Sequence, residues 1–321
     1  MFFTEFDVSR KFTVLSSGAE VLRTTAFGQS FDSMFTAKTG PTGLGYLKDI
    51  AIVTVLREEY DAMLAQLDSH RFEPGNHLNP NLFAWEHGII TSQKGEYKIT
   101  VAFAGQPGNL SGFAATLRTV EKWRPRYVLL VGIAGGLLPE NKLSKGDVVV
   151  SSIIRGYEYG KLGKQFTPRD DLTYHVDGPL LKCALSLAPD WARAVECAPP
   201  VAIAPPKACQ GEIASGDKVV DDMDNKFFAQ VLDHWPRCAA VEMEGAGAAC
   251  AIQEAQQNGF NAGFLMIRGI SDIPRKPGAP VVDASSQTHT QERDVWKRYA
   301  SATAAAFVGS LIRNRWPIGP L

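Results

Sequence analysis

Cysteine is scarce in this chain: Cys183, Cys197, Cys209, Cys238 and Cys250 are the only five in 321 residues, and none forms a CxxC pair. An odd, scattered set argues against a disulfide framework or a thiolate zinc site, and reads as reduced thiols within a core. The histidines form no HExxH or HxH, so no metal is expected. No apolar run approaches the roughly 18 residues that a membrane helix needs. The start, MFFTEFDVSRKF, carries Glu5 and Asp7 where a signal peptide needs an apolar stretch. The expectation is a cytoplasmic protein without membrane contact. Charge of one sign is lacking too. Lys plus Arg number 33 against 34 Asp plus Glu, a formal net charge of -1. Such a balance gives no general pull on nucleic acid. No GxGxxG opens a first helix and no Gly-Lys-Ser/Thr follows a glycine loop, which argues against dinucleotide and Walker-type sites. There is no internal repeat.

What is present is a change of texture near residue 49. Residues 1–49 are rich in Phe, Ser, Thr and Gly, show no sustained period of 2 or 3.6, and end in the linker-like GPTGLG. They read as a partly ordered extension, with partner docking as one role for it. From residue 50 to 321, short β-branched runs alternate with amphipathic segments. Strands are expected at 52–56, 98–104, 127–131, 147–154, 209–215, 238–243 and 262–267. Helices are expected at 57–67, 110–123, 179–188, 224–234 and 244–258, the last stopped by Gly259. A closing helix over 290–313 carries Trp296, Tyr299, Ala300, Phe307 and Leu311 on one stripe. This rhythm predicts a three-layer α/β/α domain with a central mixed, largely parallel sheet. Ligands of such sheets bind where loops leave the carboxyl ends of the strands.

Four of those strand ends carry unusual residues. IVTVLREEY runs an apolar strand into Glu58 and Glu59, acids that would also suit a helix start. VLLVGIAGGL places Gly132, Gly135 and Gly136 after a buried strand, where a missing side chain permits close approach and exposes amides. AVEMEGAGAAC sets Glu242 and Glu244 among small residues, and a carboxylate inside an apolar strand is costly without a partner. A glutamate there can accept two hydrogen bonds, as adjacent sugar hydroxyls require. FLMIRGISDIP ends a strand in Arg268 and Asp272. Asp in a partly apolar pocket can hold a proton and donate it.

Taken in order, VTVLREEY, VGIAGGL, KGDVVVSS, GYEYGKL, ASGDKVV, AVEMEGAGAA and MIRGISD resemble the purine nucleoside phosphorylase/uridine phosphorylase superfamily. Within it they are most similar to the methylthioadenosine/S-adenosylhomocysteine nucleosidases and to related effector-type domains. The motifs span residues 50–313. The resemblance implies hydrolysis of the N-glycosidic bond of an adenine-type nucleoside, with no cofactor. It gives Glu59 the activation of water, Asp272 the protonation of the leaving base, and Glu244 the sugar hydroxyls. It puts Met243 under the sugar, Val219 and Val220 at the base, and Arg268 beside the water. Glu242 joins the substrate-binding set, and Gly132, Ile133 and Ala134 form the wall near the anomeric carbon. At the positions where phosphorylases of the superfamily hold phosphate, this chain has apolar Leu130 and Ile133. The loop 156–169 supplies Tyr157, Lys161 and Arg169, with Arg155 before it, as contacts for phosphates or another 5′ group. Two alternatives stay open: an AMP or ATP N-glycosidase of the conflict-effector type, and a phosphate-dependent phosphorylase. Family members imply a homodimer or higher homo-oligomer.

Overall fold

The computed structural model describes residues 45–73, 84–139, 142–274 and 289–321, with side chains of the last segment described from residue 291. The expected extension therefore lies almost wholly outside the described residues. The first strand, β1 (Lys48–Thr54), starts two residues ahead of the expected boundary.

Chain order alternates strands and helices. After β1 come α1 (Arg57–Leu64), the strands β2 (Ser69–Glu73), β3 (Ala84–Ser92) and β4 (Gly95–Phe103), and α2 (Asn109–Trp123). Then follow β5 (Pro125–Gly136), β6 (Val148–Gly156), the small hairpin β7 (Gly160–Leu162) and β8 (Phe166–Pro168), and β9 (Thr173–His175). The second half holds α3 (Gly178–Leu185), β10 (Ala208–Ser215), α4 (Lys226–His234), β11 (Cys238–Glu242), α5 (Gly245–Gln257), β12 (Gly263–Asp272) and α6 (His289–Arg315). No described helix is long and apolar enough to cross a membrane.

The main sheet is mixed, in the order β11-β10-β6-β12-β5-β1-β4-β3-β2, with β9 beside β6. Its central pairings β12–β5, β5–β1 and β1–β4 are parallel, as the uninterrupted apolar runs require. β11 also pairs antiparallel with the end of β5, Val241 opposite Gly135 and Ala240 opposite Gly136. Five strands therefore close into a ring at one end. That closure has no signature in local periodicity.

Helices cover both faces. α2 and α5 bury Ala115, Val120, Ala248 and Ile252 on one side with Val128 and Leu130. α1 and α6 bury Tyr60, Met63, Phe307 and Leu311 on the other, with Leu129 and Val131. Adjacent residues of β5 thus supply alternate faces, as a pleated strand must. The predicted stripe of α6 is buried throughout. Two strands run on past their expected ends. β5 continues through Gly132 and Gly136, and β12 through Arg268 to Asp272, because each finds a partner strand for those residues.

Candidate active site

Strand β1 ends at Thr54, and α1 begins at Arg57 with Leu56 as its N-cap. Glu59, the third residue of that helix, turns its carboxylate back. Its Oε2 accepts the backbone N–H groups of Val55 and Leu56, each at 2.9 Å. Its Oε1 accepts the N–H of Ile133 from β5 at 2.9 Å. Helix capping and exposure to the cavity are thus properties of one carboxylate. Burial raises the Glu59 pKa, against the opposing pull of Arg268 and the three amide donors.

The neighbouring strand register explains the glycine at position 132. Arg268 of β12 stands opposite Gly132 of β5. A Cβ at Gly132 would run into the Arg268 guanidinium and the Glu59 carboxylate. Arg268 is fully buried and sits between the acids. Its Nη2 donates to Glu242, and to Oε2 of Glu244 at 3.1 Å. Its Nε and Nη1 have no hydrogen-bond partner among the described residues. Burial works against the charge on Arg268, yet Glu242, Glu244 and Glu59 together raise its pKa.

Glu242 ends β11 and Glu244 precedes α5. The Glu242 carboxylate accepts the N–H groups of Glu244 and Gly245, so it caps the start of α5 as well as pairing with Arg268. Oε1 of Glu244 accepts the N–H of Gly108 at 3.1 Å. Burial pushes Glu244 up to about 7, opposed by Arg268 and reinforced by Glu242 and Glu59. At the end of β12, the hydroxyl of Ser271 donates to Oδ1 of Asp272 at 2.6 Å.

These side chains meet at one cavity of about 370 Å³, within the roughly 300–1,000 Å³ usual for small-molecule sites. Glu59, Glu242, Glu244 and Asp272 all line it, each less than a tenth exposed. So do Ile133, Ala134, Val219, Val220 and Met243. Gly132 and Arg268 stand behind that lining. Leu130 is buried in the core, away from the cavity, and Ile133 lines it.

The sequence pointed elsewhere for a 5′ group, and none of its four residues lines the cavity. Arg155 is held by Glu212 at 2.9 Å and by Thr173 and Asp170. Tyr157 is fully buried between Phe227 and Phe228, behind the Lys218–Val220 segment. Lys161, on β7, and Arg169, just after β8, are exposed and do not line the cavity, whose mouth residues 156–169 were expected to form. The reason is that the segment folds back on itself and packs under α4 through Phe166. Sequence reasoning in turn missed Leu56, Pro107, Lys218, Ser271, Arg293, Asp294 and Lys297, all of which line the cavity. The three from α6 lie off the apolar stripe of that helix, where no local pattern marks them.

A family model described as phosphorylase superfamily matches residues 49–313, and the chain belongs to that superfamily. Sequence relatives are named 5′-methylthioadenosine/S-adenosylhomocysteine nucleosidase. That of Shewanella loihica is 29% identical over 174 residues, which cover 51% of this chain and 64% of the relative. The chain thus spans just under two thirds of that relative's length. That of Bacillus pumilus is 26% identical over 236 residues, covering 71% of this chain and 87% of the relative. Among solved structures, the nucleosidase of Neisseria meningitidis in complex with methylthio-immucillin-A superposes with a TM-score of 0.60. It is 21% identical, over 83% of this chain and 99% of that one. Futalosine hydrolase of Helicobacter pylori gives a TM-score of 0.59 at 20% identity, over 83% and 97%. The fold is shared with both.

Proposed function

We propose that this protein is a purine nucleosidase that cuts the N-glycosidic bond of an adenine-type nucleoside with water. The observation that carries the reading is the convergence of Glu59, Glu244 and Asp272, from three separate elements, on one cavity. The names of the sequence relatives support the same chemistry.

Breaking this bond leaves positive charge on the sugar and negative charge on the base, so the transition state resembles an oxocarbenium ion. A floor of carboxylates stabilises the first. An acid at the base neutralises the second. Glu59 takes the proton of an attacking water, and its raised pKa makes it the stronger base. The water oxygen bonds to the anomeric carbon, and the bonding pair of the C–N bond leaves with the base. Asp272 delivers a proton to the purine N7, its carboxyl oriented by Ser271. Glu244 accepts the sugar hydroxyls, and Met243 packs beneath the ring.

Water is favoured over phosphate by the charge of the floor. An inorganic phosphate dianion placed at Ile133 would face Glu59 and Glu244. Arg268, behind the lining, is fully buried and engaged through Nη2 by Glu242 and Glu244. The test is release of adenine by purified protein with and without phosphate. Equal rates and free ribosyl product support the reading. Dependence on phosphate with ribose 1-phosphate as product overturns it in favour of phosphorolysis.

A further inference from the structure

Helix α5 starts without help from its own N-cap. Glu244 holds that position, where a side chain ordinarily accepts the N–H of the second or third helical residue. Glu244 makes no such bond. The first three amides of the helix are served by other side chains instead. Gly245 N–H reaches the Glu242 carboxylate at 2.9 Å. Ala246 N–H donates to Oγ of Ser215, the last residue of β10, at 2.9 Å. Gly247 N–H donates to Oδ1 of Asn109, the first residue of α2, at 2.8 Å. The Ser215 hydroxyl donates to that same Oδ1 at 3.1 Å, so these two substitute caps form one unit.

Asn109 is itself fixed. Its backbone N–H and its Nδ2 both donate to Oδ1 of Asp217, at 2.6 and 3.3 Å. The residue before it, Gly108, gives its N–H to Oε1 of Glu244. The two helices meet backbone to backbone here: a Cβ at Gly247 would fall on the carbonyl of Asn109. A carboxylate at a helix start is drawn to free amides by hydrogen bonding and by the macrodipole. If the buried amides of Ala246 and Gly247 lacked acceptors, the Glu244 side chain would turn back onto them, since an unpaired buried donor is costly. With those amides occupied, its Oε1 goes to Gly108 and its Oε2 to Arg268, at the cavity.

We propose that Asn109, together with Ser215, is a positioning residue that caps α5 in place of Glu244 and so keeps that carboxylate turned to the sugar hydroxyls. This rests on the nucleosidase reading above and adds to it a determinant of selectivity for a ribosyl over a deoxygenated sugar. Neither residue lines the cavity, so both act through Glu244. The bond from Asn109 to Asp217 also anchors α2 to the segment that carries Val219 and Val220, which line the same cavity.

The test is the ratio of kcat/KM for base release from adenosine to that from 2′,3′-dideoxyadenosine, which lacks both hydroxyls. Comparing the ratio between proteins cancels the different intrinsic lability of the two bonds. Relative to wild type, Asn109→Ala should lower it on the order of 10-fold, the worth of a hydrogen bond to a charged group, in the direction of Glu244→Ala. Ser215→Ala, which frees the Ala246 amide, should lower it less. Asn109→Asp combined with Asp217→Asn keeps an acceptor for Gly247 and a donor between the two side chains, and should restore the ratio. If Asn109→Ala slows both nucleosides equally, the residue is merely structural, and the proposal is overturned while the nucleosidase reading stands. Should Asn109→Ala fail to fold, the ratio for Ser215→Ala decides in the same way. Absence of base release from every adenine nucleoside defeats that reading by itself. Where the wild type turns over neither of the two nucleosides, their calorimetric binding to wild type and Asn109→Ala decides the proposal: tighter adenosine binding that Asn109→Ala removes supports it, and equal binding overturns it.

Discussion

The backbone N–H of Ile133 donates to Oε1 of Glu59 across 2.9 Å, which joins the first turn of α1 to the last third of β5. Together with the amides of Val55 and Leu56, it fixes the carboxylate from both sides. The backbone therefore sets the geometry of the base before any ligand enters. Glu59→Gln keeps the shape but offers one acceptor oxygen where the wild type offers two. Base release should fall by about 10²–10⁴-fold, with a drop in thermal stability from the amide donor left unpaired. Steady-state assays and thermal denaturation check the two effects on the same sample.

Asp272→Asn removes the proton intended for the leaving base while preserving size. Turnover should drop by about 10²–10⁴-fold, with the circular dichroism spectrum unchanged. An undiminished rate would take Asp272 out of the chemistry.

Arg268 is fully buried and holds Glu242 and Glu244 together. Arg268→Met strands both carboxylates in a dry environment. The expected loss is about 3–5 kcal/mol of folding stability, read from urea denaturation. Adding Glu242→Gln to that variant should recover part of the loss, because one stranded charge is then gone.

Gly132→Ala is a one-carbon change with two neighbours in its path, the Arg268 guanidinium and the Glu59 carboxylate. Because β5 is clamped between β1 and β12, the side chains must give way instead. A loss of about 1–3 kcal/mol is expected. A fall in kcat of up to about 10²-fold should accompany it, since Glu59 is displaced from its reacting geometry.

Burial raises Glu244 from 4.5 to about 7. A carboxyl whose folded pKa lies above its unfolded value stabilises the fold fully at pH below the unfolded pKa. That contribution is lost as pH rises through the folded pKa, because the native state holds the proton longer. Wild-type protein should therefore lose stability relative to Glu244→Gln between about pH 4.5 and 7, by on the order of 1–3 kcal/mol. The difference in melting temperature across that range measures it. A difference that stays constant with pH would assign Glu244 an ordinary pKa.

Much of the architecture was legible because it depends on local pattern. The continuous apolar run of β5 appears as a central strand, and the small residues of α5 and the stripe of α6 appear as helices close to their expected bounds. The ends were less legible. β12 and β5 run on through Asp272 and Gly136 since partner strands continue there, which no window of sequence records. Glu242, Glu244 and Asp272 stood out for a local reason, as acids where apolar strands end, whereas Glu59 looked like a helix-start acid and took its role only from the family resemblance. The rim did not stand out. Arg293 and Lys297 sit among the polar positions of an amphipathic helix, where nearly every such residue is solvated, and nothing local marks the few that line a cavity.

By itself the sequence determined which segments would be strands or helices, and which strand ends would carry carboxylates, because hydrophobic period and the cost of buried charge act over a few residues. Only the tertiary structure decided that β11 closes onto β5, that Gly132 lies against Arg268, and that α6 lends its cations to the cavity of Glu59. Those facts join residues up to more than two hundred positions apart, and their cause is how the sheet curls and how helices lie across it. Side-chain chemistry can be read one residue at a time; the company each side chain keeps is fixed by packing of the whole chain.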